Sequence, residues 1–422
     1  MDERPYHPIT RWLHGESRSQ RWDFSHHVVP PISASSSYRL ETAGRGAQGF
    51  QQYGSDGAPP IYIYDRLDEP ARGMLEDALA DAEGLDAGVC FASGMAAIAA
   101  AFGCLVQYGD HVVAHRTIYG CTQSLFDRWF PRLGVRVTQV DLTQSEALQA
   151  ALEPRTRAVF LETIVNPSLE IFDLPVLRSI IDSSGCGARL VVDNTFATPY
   201  CLRPAAWGAD VIVHSLTKSI GGFGTELGGA VVVRSDLAPE LRLYRKDFGG
   251  VLASAAAWSI LVHGLPTLAV RLERQQATAA TVAAALEAEP GVRRVVYPGL
   301  ASYPQTELAQ ALLRTPDGRF APGSMIYFEL DESRVHTASF VDHLAQHAYA
   351  VTLAVSLGHV KTLVEMPRSM THSACPDGSV AAGGVRLSIG LEEPADILRD
   401  VCAALAASAT AAQRARVGIA GS

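Results

Sequence analysis

The chain has 422 residues, 48% hydrophobic and 19% charged, an ordinary globular balance in a chain too long for one core, so a large and a smaller domain are expected. Thirty-five Lys and Arg against 44 Asp and Glu give a net charge of −9, and this mild acidity argues against a general nucleic-acid binder, which needs a basic face. Seven Cys at long spacings, without any C-x-x-C, argue against a disulfide framework or a cysteine zinc site and suit a reducing cytoplasm.

Residues 1–62 lack a sustained period and are rich in Ser, Gly, Pro and aromatics. Ser33–Tyr38 and Gly44–Gly57 read as an extended arm that gains order on another part of the protein or on a neighbouring subunit. No apolar run opens the chain, so no signal peptide is expected. Gly73–Glu83 is expected to be a helix. Ala87–Val106 is almost wholly apolar and nearly long enough for a bilayer. The Ser93-Gly94 step inside it makes strand, turn and buried helix the better reading, and no membrane partner is expected. Apolar runs at Val89–Phe91, His111–Ala114, Val135–Val140, Ala158–Leu161, Leu190–Val192, Val211–Val213 and Ala230–Val233 alternate with helical stretches. That alternation predicts an α/β fold, a mostly parallel sheet with helices on both faces. Ligands of such sheets sit at the carboxyl ends of the strands. Ala253–Glu289 reads as two helices broken at Gly264-Leu265-Pro266. Beyond Pro290, strands over Val292–Tyr297, Ser324–Leu330 and Val385–Ile389 and helices over Thr337–Gln346 and Ala395–Ala409 predict a smaller C-terminal α+β domain. The expected division is an arm over 1–68, a large domain over 69–269 and a C-terminal domain over 270–422. His343 and His347 stand four apart, but no Glu follows His343, so no metal site is expected.

Lysine is scarce: Lys218, Lys246 and Lys361 stand against 32 Arg. Arg keeps its proton, whereas a desolvated Lys can be neutral and nucleophilic. Lys218 follows the run Val211–Val213 and precedes Gly221-Gly222, a strand end leading into a glycine turn, where a cofactor lysine belongs. A surface loop lysine is the other reading. Asp193 closes the run Val191-Val192 and suits a partner for a protonated pyridine nitrogen; a turn or cap Asp fits as well. Ser93-Gly94-Met95 opens an apolar helix, where backbone N–H groups bind phosphate, or Ser93 is a simple cap. Ser215 and Thr217 add hydroxyl donors. G-x-x-x-x-G-K-[ST] is missing, and Gly222–Gly228 misses the G-x-G-x-x-G spacing, so nucleotide readings lose support.

In their order these motifs resemble the Cys/Met-metabolism family of pyridoxal-phosphate (PLP) enzymes from about Tyr64 to Leu405. The anchors are Phe91–Ile98, Tyr119-Gly120-Cys121-Thr122, Glu162-Thr163 with Asn166-Pro167, Val192–Thr195, His214–Lys218, Met370-Thr371-His372-Ser373 and Arg386–Glu392. The resemblance implies a fold-type I PLP-dependent transferase architecture, a small amino-acid substrate and a homotetramer of tight dimers. It implies that Lys218 carries the cofactor and acts as base, that Tyr119 stacks on the ring and protonates the leaving group, and that Asp193 pairs with the ring nitrogen. Gly94, Met95, Ser215 and Thr217 would hold the phosphate, and Tyr64 and Arg66 would reach it from the neighbouring subunit. Arg386, helped by Ser356 and Asn166, would bind the substrate carboxylate, as a bidentate Arg suits.

Within the family, Cys121 and the pair Lys246-Asp247 resemble the side-chain-facing residues of methionine γ-lyases, so α,γ-elimination is expected. Gly221–Thr225 resembles O-acetylhomoserine sulfhydrylases instead, with Phe223 where they carry His. That leaves γ-replacement of the sulfhydrylase or cystathionine γ-synthase kind as the alternative. Glu69-Pro70-Ala71 departs from the family's Asn-Pro-Thr, and Arg368 stands where Ala is usual. A carboxylate at Glu69 either recognises a polar or cationic γ-substituent or caps a helix.

Overall fold

The structure is a computed structural model that describes residues 6–15, 27–54, 61–370, 381 and 383–410. Thr371, His372 and Ser373 of the predicted Met-Thr-His-Ser motif, Cys375 and positions 55–57 of the predicted arm lie outside the described residues. By contact the chain divides into two units. The first comprises Met1–Arg116, Ser124–Thr163 and Phe172–Leu268, and the second Thr117–Gln123, Ile164–Ile171 and Ala269–Ser422.

Among the described residues the first unit holds seven strands: β1 Ala87–Phe91, β2 His111–His115, β3 Arg136–Val140, β4 Thr156–Glu162, β5 Arg189–Asp193, β6 Val211–Ser215 and β7 Gly229–Val233. They order as β1-β7-β6-β5-β4-β2-β3. β2, β3, β4, β5 and β6 pair in parallel, and β7 runs antiparallel to both β6 and β1. β2 and β7 are buried along their whole length, as strands covered on both faces must be. Each predicted run became a strand. The apolar segment Ala87–Val106 is indeed strand, turn and helix: β1 leads through Ser93, an N-cap, into the helix Gly94–Leu105. Phe102 of that helix meets Phe126 edge-on at 5.2 Å and Phe160 at 5.6 Å, so an aromatic cluster locks it to the sheet.

The second unit carries β8 Val292–Val296, β9 Met325–Leu330, β10 Val351–Leu353, β11 Thr362–Glu365 and β12 Gly384–Ser388, ordered β10-β11-β12-β9-β8. Its core includes Val282, Leu286, Phe328, Phe340, Leu387 and Val401. The helices Thr337–His347 and Pro394–Ala407 match their predicted spans to within two residues. β10 and β11 escape the sequence reading because three or four residues show no period.

Three expectations need correction. The arm is not wholly extended: Pro8–His14 and Ala43–Gln52 are helices. Six of the ten residues of the second are Gly or Gln, which masks its period, and Gly49 serves close packing, since a Cβ there would lie 2.6 Å from Ile63 Cδ1. The helix expected from Gly73 begins at Pro70, because Pro suits the first helical position and Glu69 caps it. The break at Gly264-Leu265-Pro266 does not separate two helices. Ser254–Ser259 runs through a π turn, Ile260–Gly264, into Leu265–Glu287; the wider turn accommodates the N–H that Pro266 lacks. This continuous run, Ser254–Glu287, is long and apolar enough to cross a membrane, yet half of its most apolar window is buried within the protein.

Candidate active site

The sequence-predicted residues fall into two clusters, one in each unit. In the first, β5 and β6 lie side by side with Asp193 opposite Val213, so their carboxyl ends deliver Asp193 and Ser215 to one edge of the sheet. Thr195 ties the two ends together. Its N–H donates to Asp193 Oδ1 at 2.9 Å, and its Oγ1 accepts the Ser215 N–H at 2.8 Å. Burial pushes the Asp193 carboxyl above the ordinary range, while the two Thr195 donors and the charge of His214 pull it back. A cationic ring N–H against Asp193 would favour its ionised form.

Gly94 abuts Ser215: a Cβ on Gly94 would stand 2.8 Å from Ser215 Cβ. Glycine is therefore required for the helix start to meet the end of β6. Ser93 Oγ accepts the Ala96 N–H at 3.1 Å, and the helix start, Gly94 and Met95, presents its dipole at this edge. Lys218 follows β6 in a tight turn. Its N–H donates to Ser215 O at 3.2 Å, and its carbonyl accepts the Gly222 N–H at 2.8 Å, with Gly222 at φ 77°. The side chain is half-buried. Thr217 is differently engaged from its expected phosphate role. Its hydroxyl donates to Gly228 O at 3.3 Å and accepts the Gly228 N–H at 3.0 Å, so it must turn to donate elsewhere.

A helix start, an adjoining serine, an amine and a carboxylate at one sheet edge fit the phosphate, aldehyde and pyridine nitrogen of PLP. Beneath that edge lies a buried group that sequence reasoning missed. Glu83 Oε1 is 2.5 Å from His214 Nε2 and accepts Asn194 Nδ2 at 2.8 Å. His214 and Asn194 flank motif residues, but Glu83 ends a helix of ordinary pattern and gave no signal.

Tyr64 and Arg66 are exposed, with the guanidinium 5.6 Å from the ring centroid of Tyr64. Arg66 Nη1 donates to Lys246 O, and Lys246 Nζ stands 3.4 Å from Asp247 Oδ1. Glu69 is fully buried. Its Oε1 accepts the Ala71 N–H at 3.1 Å and its Oε2 the Arg72 N–H at 2.8 Å. Of the two readings left open by the sequence, the helix cap is the one found.

The second cluster centres on Arg386, 2% exposed in β12. Nη1 donates to Asn166 Oδ1 at 2.8 Å, and Nη2 donates to Ser356 O at 2.6 Å. Ser356 thus acts through its carbonyl, held at φ 89°, a strained value for a residue other than glycine. Glu365 of β11, paired in register with Arg386, places Oε2 3.0 Å from Nη2. Nothing in the sequence singled out Glu365, since its relation to Arg386 is a matter of strand register. Burial pulls the Arg386 guanidinium below its usual range, and Glu365 and Tyr119 act against this. Tyr119 is 38% exposed, and Cys121 Sγ donates to its hydroxyl at 3.5 Å. The arrangement offers a planar cation for a carboxylate and a phenol with a thiol beside it.

A family model described as Cys/Met metabolism PLP-dependent enzyme matches residues 10–406. The chain is 37% identical over 388 residues to an L-methionine gamma-lyase of Pseudomonas deceptionensis, covering 90% of this chain and 93% of that protein. It is 38% identical over 351 residues to a cystathionine gamma-lyase of Bacillus subtilis (strain 168), covering 82% and 88%. Among solved structures, a cystathionine gamma-lyase from Lactobacillus plantarum complexed with L-serine superposes with a TM-score of 0.84 at 30% identity, over 96% of this chain and 100% of that one. The fold-type I architecture with a C-terminal α+β domain, expected from the sequence, is therefore shown.

Proposed function

The chain belongs to the Cys/Met metabolism family of PLP-dependent lyases, and from that premise we propose that it catalyses α,γ-elimination on an L-amino acid carrying a γ-thioether. With methionine the balance is methionine plus water to methanethiol, 2-oxobutanoate and ammonia. The observation that carries this reading is the Cys121–Tyr119 contact at 3.5 Å: a phenol able to protonate a departing sulfur, with a soft thiol beside it.

PLP, when bound, supplies an electron sink for the charge that builds at the substrate's Cα. The protein's own groups do the rest. Arg386, fixed by Asn166 and Ser356, grips the substrate carboxylate and sets which bond at Cα stands ready to break. The Lys218 amine takes the proton from Cα and then moves one from Cβ. Asp193 would hold a proton on the cofactor's ring nitrogen. Gly94, Met95, Ser215 and a reoriented Thr217 would bind its phosphate. The Tyr119 hydroxyl gives its proton to the leaving sulfur. Cys121, Lys246 and Asp247 select the side chain. Two supports favour elimination of a neutral thioether over a cationic γ-substituent: the identity to methionine gamma-lyases, and the commitment of both Glu69 oxygens to a helix cap.

In this reading the chain works in the cytoplasm as a homotetramer of dimers with shared sites. The division proposed is an arm over 1–68 that contacts a neighbouring copy, a large cofactor-binding domain over 69–269 and a C-terminal domain over 270–422. Tyr64 and Arg66 are exposed on their own chain, as residues serving another copy would be. The test is a substrate panel of methionine, homocysteine, cystathionine, and O-acetylhomoserine with sulfide. Fastest release of 2-oxobutanoate from methionine or homocysteine is expected. Thioether or thiol formation from O-acetylhomoserine far outpacing every elimination would refute the reading in favour of γ-replacement. Cys121→Gly is expected to reorder the panel while leaving PLP binding unchanged.

A further inference from the structure

A fully buried ion pair, Glu76–Arg245, bonds backbone next to several of the proposed site residues. Glu76 is in the helix Pro70–Glu83 and Arg245 in the helix Ala238–Phe248, 3% and 1% exposed. Arg245 Nη1 donates to Glu76 Oε1 and to Cys90 O at 3.2 Å, and Nη2 donates to Leu67 O at 3.0 Å. Glu76 Oε1 also accepts the Cys90 N–H at 2.8 Å. Burial works against the guanidinium charge, and Glu76 beside it more than restores it.

Each anchor adjoins a site residue. Leu67 follows Arg66. Cys90 lies in β1, three residues before Ser93 and the helix start at Gly94. Arg245 precedes Lys246 and Asp247, and Lys246 O is itself held by Arg66. Two further links run the same way. Tyr53 Oη bonds Leu67 O at 3.1 Å and Arg242 O at 3.0 Å, and the Ala92 N–H donates to Gly250 O at 2.6 Å.

For stability alone, a well-packed apolar pair would serve this position as well as two buried charges. What a guanidinium adds is several donors in one rigid plane, able to fix separate carbonyls at once. We propose that Arg245, held by Glu76, is a positioning residue: it fixes Leu67 O and the segment carrying Lys246 O, and with them the Arg66 guanidinium that is offered to a neighbouring copy's phosphate. The proposal rests on the reading that Arg66 completes the PLP phosphate site of a neighbouring copy.

The experiment is a double-mutant cycle on the PLP dissociation constant, measured by titrating apoenzyme with PLP and following absorbance. Arg245→Lys can keep the ion pair with Glu76 but cannot reach both carbonyls. Arg66→Ala is expected to weaken PLP binding by about 10- to 100-fold, the loss of one charge-assisted contact. Arg245→Lys is expected to fold and to weaken PLP binding comparably, and the double variant to bind no worse than Arg66→Ala alone. Should Arg245→Lys fail to fold, Arg245→Met with Glu76→Leu removes both charges together and is read in the same cycle. Additive losses, or wild-type PLP affinity in the Arg245 variant while Arg66→Ala is weakened, would overturn the positioning role alone. Wild-type affinity in Arg66→Ala would overturn the shared-site reading beneath it, and the inference with it.

Discussion

Replacing Glu69 separates a structural carboxylate from a substrate-recognising one. In the structure its two oxygens cap the helix Pro70–Glu83 through the Ala71 and Arg72 N–H groups, at 3.1 and 2.8 Å, with no exposure to solvent. Glu69→Gln keeps one acceptor and turns an NH₂ toward the other backbone donor. Loss of an N-cap bond costs ~0.5–2 kcal/mol. Burial, the largest influence on Glu69, already holds its carboxyl above the ordinary range despite the two donors, so part of the charge's benefit is spent on desolvation. The loss should fall near the middle of that range, about 1 kcal/mol, as a shift in urea midpoint at constant slope. Glu69→Ala strands two buried donors and should cost about 2–4 kcal/mol. Neither change touches recognition of the γ-substituent. The ratio of kcat/KM for methionine to that for a γ-guanidino-oxy amino acid should therefore stay within about twofold in Glu69→Gln, since a lost substrate ion pair would show as a tenfold change per 1.4 kcal/mol. A tenfold or greater fall confined to the cationic substrate would refute the cap reasoning and return Glu69 to the substrate site.

Other expectations follow from the same geometry. Borohydride reduction of the PLP-loaded protein should fix the cofactor on Lys218, read by peptide mass spectrometry; label on Lys246 or Lys361 would contradict the assignment. Asn166→Ala removes the 2.8 Å bond to Arg386 and should lower kcat/KM by about 10- to 100-fold, from ~1.5–3 kcal/mol for a bond to a charged group, without changing PLP affinity; equal effects on both would place Asn166 elsewhere. His115 is fully buried, edge-on to Phe172 at 4.8 Å, its Nδ1 accepting the Leu142 N–H, and burial lowers its pKa to about 4. The unfolded chain therefore takes up this proton first as pH falls, so the stability His115 contributes above pH 6.5 is lost between about 6.5 and 4, by about 3 kcal/mol. His115→Asn, which can keep an acceptor for Leu142, should flatten that part of the profile in equilibrium unfolding, and an unchanged slope would show that other groups set it.

The sheet was legible in the sequence because strands covered on both faces are short apolar runs, and each run predicted for the first unit fell on a strand, the antiparallel β1 and β7 and the part-exposed edge strand β3 included. Lys218, Asp193 and the Ser93-Gly94 helix start were legible for a related reason. A residue at the carboxyl end of such a run is placed by the strand itself, so its neighbours in sequence are enough to locate it. Helix boundaries were less so: Pro266 signalled a break in local terms, while the helix on either side was long enough to absorb it as a π turn. What only the tertiary structure decided are the contacts made by register and by distant chain. Asn166 and Arg386 stand 220 residues apart and meet at 2.8 Å. Glu365 reaches Arg386 because β11 pairs with β12 at that register, and a shift of one residue would send it to the other face. Glu69 was ambiguous in sequence, since a carboxylate before a proline suits a cap or a ligand equally; the backbone N–H groups that claim both its oxygens exist only once the helix has formed.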